Sequence, residues 1–184
     1  MPTTDRSTLC GIVLAAGAGR RRGSPKALAV GADGPWLAEA VRLLLAGGCA
    51  RVVVVLGAGA DEARALLPDD ARVEAVVAQR WEDGIGESLR TGLAHATGDA
   101  VLITLVDLPG TPVAVVDRLL AADGALRQAV YGGRPGHPVL VALSHWAPLA
   151  ETLDGDRGAR AYLRAHGVTE VECGDLHDGL DRDT

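Results

Sequence analysis

The chain has 184 residues, 48% of them hydrophobic, and a net charge of −6. That length buries a core and reads most simply as one domain, while a charged fraction of 23% excludes global disorder. An acidic chain without a basic tail or stripe is a poor match for nucleic acid, whose phosphates are met by many Lys and Arg contacts, so any anionic ligand needs a local cluster of cations.

The composition is uneven: 31 Ala, 24 Gly, no Phe, five aromatics, and seventeen Arg against a single lysine, Lys26. No apolar run approaches the ~20 residues of a membrane span. Met1 to Thr8 is polar and is expected to be a disordered lead-in rather than a signal peptide. A cytoplasmic protein with no membrane partner is the expectation. Cys10, Cys49 and Cys173 are odd in number, far apart and without metal-ligand spacing, so they read as small buried thiols.

In chain order, continuous apolar runs alternate with helical patterns, the mark of parallel strands covered on both faces by crossover helices. Strands are expected over Cys10 to Ala16, Arg51 to Gly57, Arg72 to Ala78 and Ala100 to Val106. Between them, helices are expected over Trp36 to Ala46, Asp61 to Leu67 and Gly86 to Ala96, ended by Gly47-Gly48 in the first case and Pro68 in the second. After Asp107 come a helix from Pro112 to Ala122 and two β-like pieces, Gln128 to Tyr131 and His137 to Ala142. The intervening Gly132 to Gly136 looks too long for a two-residue hairpin turn. A helix over Arg157 to His166 and a strand over Val168 to Cys173 complete the chain. The fold class is α/β: three layers around a mostly parallel, Rossmann-like sheet, with a late antiparallel elaboration. A nucleotide-binding half is expected over residues 10–107 and an acceptor-binding half over 108–184.

The most informative segment runs from Gly11 to Lys26. A buried strand enters a loop with glycines at 17, 19 and 23, and that loop holds Arg20, Arg21, Arg22 and Lys26. Glycines let the backbone approach a ligand and turn successive N–H groups into an anion cradle, so four cations within seven residues of an acidic chain point to a polyphosphate. The P-loop pattern fails because Lys26 comes three residues after Gly23 and is followed by Ala27. The dinucleotide pattern GxGxxG fails because three residues, all arginine, separate Gly19 from Gly23, which disfavours a dinucleotide oxidoreductase.

Asp107, in Val106-Asp107-Leu108-Pro109, ends the fourth strand. With the doubly wound order 3-2-1-4, strands one and four are neighbours and ligands bind beyond their C-terminal ends. Asp107 then lies beside the glycine loop, where a carboxylate needs a cation between itself and the phosphates. Mg²⁺, held typically by one or two carboxylates plus substrate phosphates, fits that need. In Trp81 to Arg90, Ser88 lies near a helix start, where it either caps the helix or bonds a ligand. Two later clusters, Gly133 to Pro138 and Gly155 to Arg160, carry Arg134, His137 and Arg157, with Asp156 as a possible helix cap.

Together these residues resemble the MobA-like nucleotidyltransferases, and more closely the molybdenum cofactor cytidylyltransferases. The LAAGxGxRxGxxK opening is matched by Leu14 to Lys26 with Arg21 in the arginine slot, and the strand-end acid by Asp107-Leu108-Pro109. The G(M/I)xxSLRxG stretch is matched by Gly84 to Gly92, GRxGHPVL by Gly133 to Leu140, and GDRGAR by Gly155 to Arg160. Departures are Arg22 where Phe or Met is usual, Leu108, Gly86, and Glu87, which puts a negative charge where relatives are neutral and thereby questions the acceptor. The closing DIDTP pattern is represented by Asp181-Arg182-Asp183-Thr184.

The resemblance implies a Mg²⁺-dependent transfer of a nucleoside monophosphate, from CTP on the strength of LAAG, to a phosphorylated small molecule such as molybdopterin, releasing pyrophosphate. It implies that the Gly17, Ala18 and Gly19 backbone, with Arg20 and Arg21, holds the β and γ phosphates and that Lys26 stands against the α-phosphate. Leu14, Ala15, Ala16 and Ser88 would surround the nucleotide. Asp107, aided by Asp181 or Asp183, would hold the metal, and Arg134, His137 and Arg157 would face the acceptor. A molybdoenzyme receiving the product is the implied protein partner. Three alternatives stay open: another nucleotidyltransferase acting on a sugar or alcohol phosphate, a glycosyltransferase of similar fold, and a non-catalytic module that binds nucleotide or cofactor.

Overall fold

The computed structural model describes residues 8–19 and 23–182. Its elements in order are β1 (Leu9–Ala15), a small hairpin of β2 (Val30–Gly31) and β3 (Gly34–Pro35), α1 (Trp36–Ala46), β4 (Arg51–Leu56), α2 (Ala60–Arg64), β5 (Val73–Val77), α3 (Ile85–His95), β6 (Ala100–Leu105), α4 (Val113–Ala121), β7 (Leu126–Tyr131), β8 (Arg134–Ala142), α5 (Trp146–Thr152), α6 (Arg160–Ala165) and β9 (Thr169–Glu172). Seven strands form one sheet in the order β5-β4-β1-β6-β8-β7-β9. The first four of these run parallel, β8 runs against both β6 and β7, and β9 is parallel to β7. The expected order 3-2-1-4 is therefore present, with the antiparallel elaboration added to the same sheet.

The continuous apolar runs have the cause inferred for them. In β1, every residue is buried, and successive side chains go to opposite faces. Leu9, Val13 and Ala15 pack with Leu37, Val41, Leu44, Val116 and Leu119 on the α1 and α4 side. Cys10, Ile12 and Leu14 pack with Leu89, Leu93, Leu149 and Leu163 on the side of α3, α5 and α6. Three layers result, and each fully buried Leu contributes about 1.5–3 kcal/mol of burial free energy.

Four local readings are corrected. Tyr131 pairs with Arg134, leaving Gly132 and Gly133 as a two-residue turn with φ of +59° and +73°. Both central residues of such a turn need positive φ, which this glycine pair supplies. The Glu172 carboxylate accepts the N–H groups of Gly132 and Gly133 at 2.9 and 3.1 Å, holding the turn from the neighbouring strand end. Pro135 and Gly136 are part of β8, and a register shift between Gln128 and Val130 absorbs the irregularity. α5 was not expected from the sequence; its Pro148 occupies the first turn, where a missing N–H costs nothing. Asp156 is not a cap, since α6 begins at Arg160 with Ala159 before it and no side-chain bond. At the other end of the chain, Thr8 is held rather than disordered: the N–H of Asp99 donates to its carbonyl at 3.0 Å. The rest of the Met1 to Thr8 expectation lies outside the described residues.

All three cysteines are buried and none of them is in a disulfide. Desolvation raises the pKa of Cys10 and of Cys173, which keeps both as inert thiols. No helix among the described residues is long and apolar enough to cross a membrane.

Candidate active site

A cavity of about 420 Å³ opens over the C-terminal ends of β1 and β6. Its first wall is the unbroken run Leu14, Ala15, Ala16, Gly17, Ala18 and Gly19, as β1 leaves the sheet. The N–H of Gly23 donates to the carbonyl of Gly19 at 2.9 Å and closes the loop. Gly19 has φ of +60°, and a Cβ there would lie 2.0 Å from the carbonyl oxygen of Ser24, so no other residue fits. This tight closure delivers Lys26, the first residue of a single 3₁₀ turn that is anchored by the fully buried Ala27.

Lys26 Nζ meets Asp107 Oδ2 at 2.5 Å. Asp107 is 7% exposed, and its position is fixed from several sides. The N–H of Val106 donates to Leu14 at 3.2 Å, tying the end of β6 to β1. Beyond it, the Glu39 carboxylate of α1 accepts the N–H of Gly110 at 3.1 Å. The N–H of Arg182 donates to the Asp107 carbonyl at 2.9 Å, which brings the neighbouring Asp181 to this corner of the fold. The second carboxylate oxygen, Oδ1, is buried and has no hydrogen-bond partner among the described residues. An orphaned buried carboxylate oxygen normally carries a desolvation penalty of a few kcal/mol, and a divalent cation bound there would remove it. Among the described residues no group of three or more His, Cys, Asp or Glu could hold a metal by itself. The donor set therefore fits a hard cation completed by substrate oxygens, as Mg²⁺ and Mn²⁺ commonly are.

The opposite wall comes from the segment after β5. Trp81, Glu82, Gly84, Ile85 and Ser88 line the cavity there. Ser88 is 4% exposed and sits inside the first turn of α3, while Gly84 occupies the cap with no side-chain bond, so Ser88 does not cap the helix. Gly84 has φ of +122°, and a Cβ there would lie 2.4 Å from the carbonyl of Gly155. The N–H of Gly86 bonds that same carbonyl at 3.0 Å, and this docking carries Asp156 to the cavity rim. The Glu87 carboxylate pairs with Arg80 at 3.0 Å and Arg90 at 2.7 Å, so two cations offset its charge.

A second cavity of about 190 Å³ adjoins the first and shares Leu14 and Ile85 with it. Of the three residues expected at the acceptor, only His137 lines it. Arg134 is exposed and donates to the Asp178 carbonyl at 3.3 Å, and Arg157 lines neither cavity. Gln128 and Arg160 stand there instead. Arg160 belongs to the same GDRGAR segment, three residues beyond Arg157 and at the start of α6, and a polar residue inside the buried run of β7 was the available sign for Gln128. Burial lowers the pKa of His137 to about 4, so its ring is neutral at physiological pH. Arg20, Arg21, Arg22 and Asp183 lie outside the described residues.

A doubly wound sheet that ends in a glycine loop, with a lysine paired to a strand-end aspartate across the switch point, is the frame of a nucleotidyltransferase. The chain belongs to the MobA-like NTP transferase family, whose domain model matches residues 11–171. It is 39% identical over 199 residues to nicotine blue oxidoreductase of Paenarthrobacter nicotinovorans, covering 100% of this chain and 96% of that protein. Its fold resembles the crystal structure of Rv0371c from Mycobacterium tuberculosis, with a TM-score of 0.80 and 26% identity over 96% of this chain and 94% of that one. A manganese complex of Rv0371c superposes with a TM-score of 0.75, at 24% identity over 95% and 94% of the two chains.

Proposed function

We propose that the protein transfers a nucleoside monophosphate, from CTP by preference, to a phosphorylated small-molecule acceptor such as molybdopterin, with release of pyrophosphate. The observation that carries this reading is Lys26 paired with Asp107 at the mouth of the Gly17–Gly19 loop. An oxygen of the acceptor phosphate attacks the α-phosphorus as the bond to the bridging oxygen of pyrophosphate breaks. Little covalent work falls to the protein, and rate comes from position and charge.

The backbone N–H groups of the glycine loop, with Arg20 and Arg21, hold the β and γ phosphates. Lys26 places a compact ammonium charge where negative charge grows on the α-phosphate. Asp107, assisted by Asp181 or Asp183, holds Mg²⁺ or Mn²⁺, and manganese in Rv0371c supports a divalent ion here. Such an ion, when bound, supplies positive charge to the phosphate oxygens. Ala15, Ala16 and Ser88 shape the nucleotide pocket, and His137 with Arg160 meets the acceptor in the adjoining cavity. A cytoplasmic location and delivery of the product to a molybdoenzyme follow from the same reading.

The name of the 39% identical relative favours a second reading, an oxidoreductase that uses the same cavity. One experiment separates the two. Purified protein with Mg²⁺ is offered CTP, GTP, ATP or UTP, each with molybdopterin or a sugar phosphate, while pyrophosphate is measured. In parallel, NADH and NADPH oxidation is followed with dye acceptors. Pyrophosphate release with CTP and molybdopterin bears out the transferase. Acceptor-dependent NAD(P)H oxidation without pyrophosphate release replaces it with the second reading.

A further inference from the structure

We infer that Trp81 is the platform against which the nucleobase stacks, a binding role that rests on the cavity holding a nucleotide. The chain has five aromatic side chains, and Trp81 is the one of them that lines the 420 Å³ cavity. The others are committed elsewhere: Trp36, Tyr131 and Tyr162 are buried, and the Trp146 indole N–H donates to Val141 at 3.0 Å.

The seat of Trp81 is built. Its ring packs partly on the core layer of Leu14, Val55 and Ala78 while its remaining surface faces the cavity. A Cβ at Gly57 would lie 2.6 Å from Trp81 Cγ and 2.5 Å from the Ala16 carbonyl oxygen. The absence of a side chain at position 57 therefore lets the indole lie against the end of β4, next to the start of the phosphate loop. The backbone holds it there, with the N–H of Trp81 donating to Ala78 and the N–H of Gly84 to Trp81, both at 3.2 Å.

The sheet order decides what meets this ring. Asp107 and its partner Lys26 stand over the end of β6, on one flank of β1, and Trp81 stands over β4 and β5, on the other. β6 and β4 are two strand spacings apart, about 10 Å. The cavity is thus charged at one end and aromatic at the other. A nucleotide is built the same way, with anionic phosphates separated from a flat base by a ribose. With the phosphates at Lys26, the base reaches the indole, and stacking of a base on an aromatic side chain contributes about 1–3 kcal/mol.

The test titrates CTP with Mg²⁺ into wild type, Trp81→Phe and Trp81→Ala, following tryptophan fluorescence and, independently, calorimetric heat. In wild type the emission is expected to quench on binding, and the quench is expected to vanish in Trp81→Phe while affinity stays within about threefold. Trp81→Ala is expected to weaken binding by about tenfold or more, with KM raised and kcat retained. Circular dichroism separates this from misfolding, and retained affinity in the Phe variant shows that the seat is intact. Calorimetric binding of CTP with no quench and unchanged affinity in Trp81→Ala overturns the platform. If wild type binds neither CTP nor any other nucleoside triphosphate, the nucleotide reading itself fails.

Discussion

Lys26 and Asp107 lie 81 residues apart in sequence, and their charged groups meet at 2.5 Å across the switch point of the sheet. Each arrives by a separate route, one through a glycine-closed loop and the other at the end of a buried strand. In the proposed reaction the pair has to separate its duties, Lys26 turning to phosphate and Asp107 to the metal. Lys26→Ala and Asp107→Ala are each expected to lower turnover by on the order of 10² or more, the usual loss for one charge-stabilising group. Pyrophosphate release under saturating CTP measures it, and unimpaired turnover in either variant refutes the assignment.

Lys26→Arg is the sharper change. It keeps the charge but replaces a point charge on a flexible stem with a planar fork. Most of the activity is expected to be lost although the thermal midpoint moves little, which a melting curve alongside the assay checks. An arginine enzyme as active as wild type shows that charge alone suffices at this position.

Asp107 leaves Oδ1 buried and without a partner among the described residues, so a divalent ion has a ready acceptor. Titrating Mn²⁺ into metal-free protein with CTP present is expected to show saturable binding by calorimetry or electron paramagnetic resonance, and Asp107→Asn is expected to weaken it at least tenfold. A smaller weakening in Asp181→Asn distinguishes Asp181, next to the Arg182 contact, from a bystander.

His137 gives a pH dependence with a definite sign. Its folded pKa is lowered to about 4 by burial from an ordinary value of 6.5. Between those values the unfolded chain binds more protons than the folded one, so stability rises with pH across this window and is lost as pH falls through it. At most about 3.5 kcal/mol is at stake, because each tenfold difference in proton affinity between the two states corresponds to about 1.4 kcal/mol. Denaturant melts of wild type and His137→Gln between pH 4 and 7 are expected to differ in slope, and equal slopes remove His137 as the cause.

Gly84 joins α3 to the 154–157 turn by an approach too close for any side chain. Gly84→Ala combines backbone strain at φ of +122° with a contact of 2.4 Å to Gly155, and about 2–3 kcal/mol of destabilisation is expected. For a chain of this size that lowers the melting midpoint by about 5–10 °C. Calorimetric melting checks it, and a midpoint within about 1–2 °C of wild type, on the same scale, shows that the two loops are not docked in solution.

The parallel half of the fold was legible because its strands are buried on both faces and leave continuous apolar runs, and because glycines and prolines punctuate the crossovers. Gly17 to Lys26 and Asp107 could be paired from sequence since the 3-2-1-4 order follows from such crossovers. What escaped depended on partners remote in sequence. The Gly132-Gly133 turn takes its support from Glu172, forty residues on, and Glu87 has its charge offset by Arg80 and Arg90 through side-chain directions that spacing does not fix. Arg134 and Arg157 were chosen for their motifs, but one is turned to Asp178 and the other stands clear of both cavities. Trp81 was visible only as part of a segment, because its role depends on an empty position at Gly57.

One strand in seven, β8, runs the other way. Its reversal returns the residues at its beginning, Pro135 to His137, to the same rim of the sheet where β1 and β6 finish, so the second cavity is walled largely by chain that comes after the phosphate grip is complete. In the proposed reaction, the anchoring of a nucleotide and the choice of its reaction partner would thereby be written on consecutive, separable lengths of polypeptide. Mutation can redraft the later length while the earlier one stays legible to its ligand.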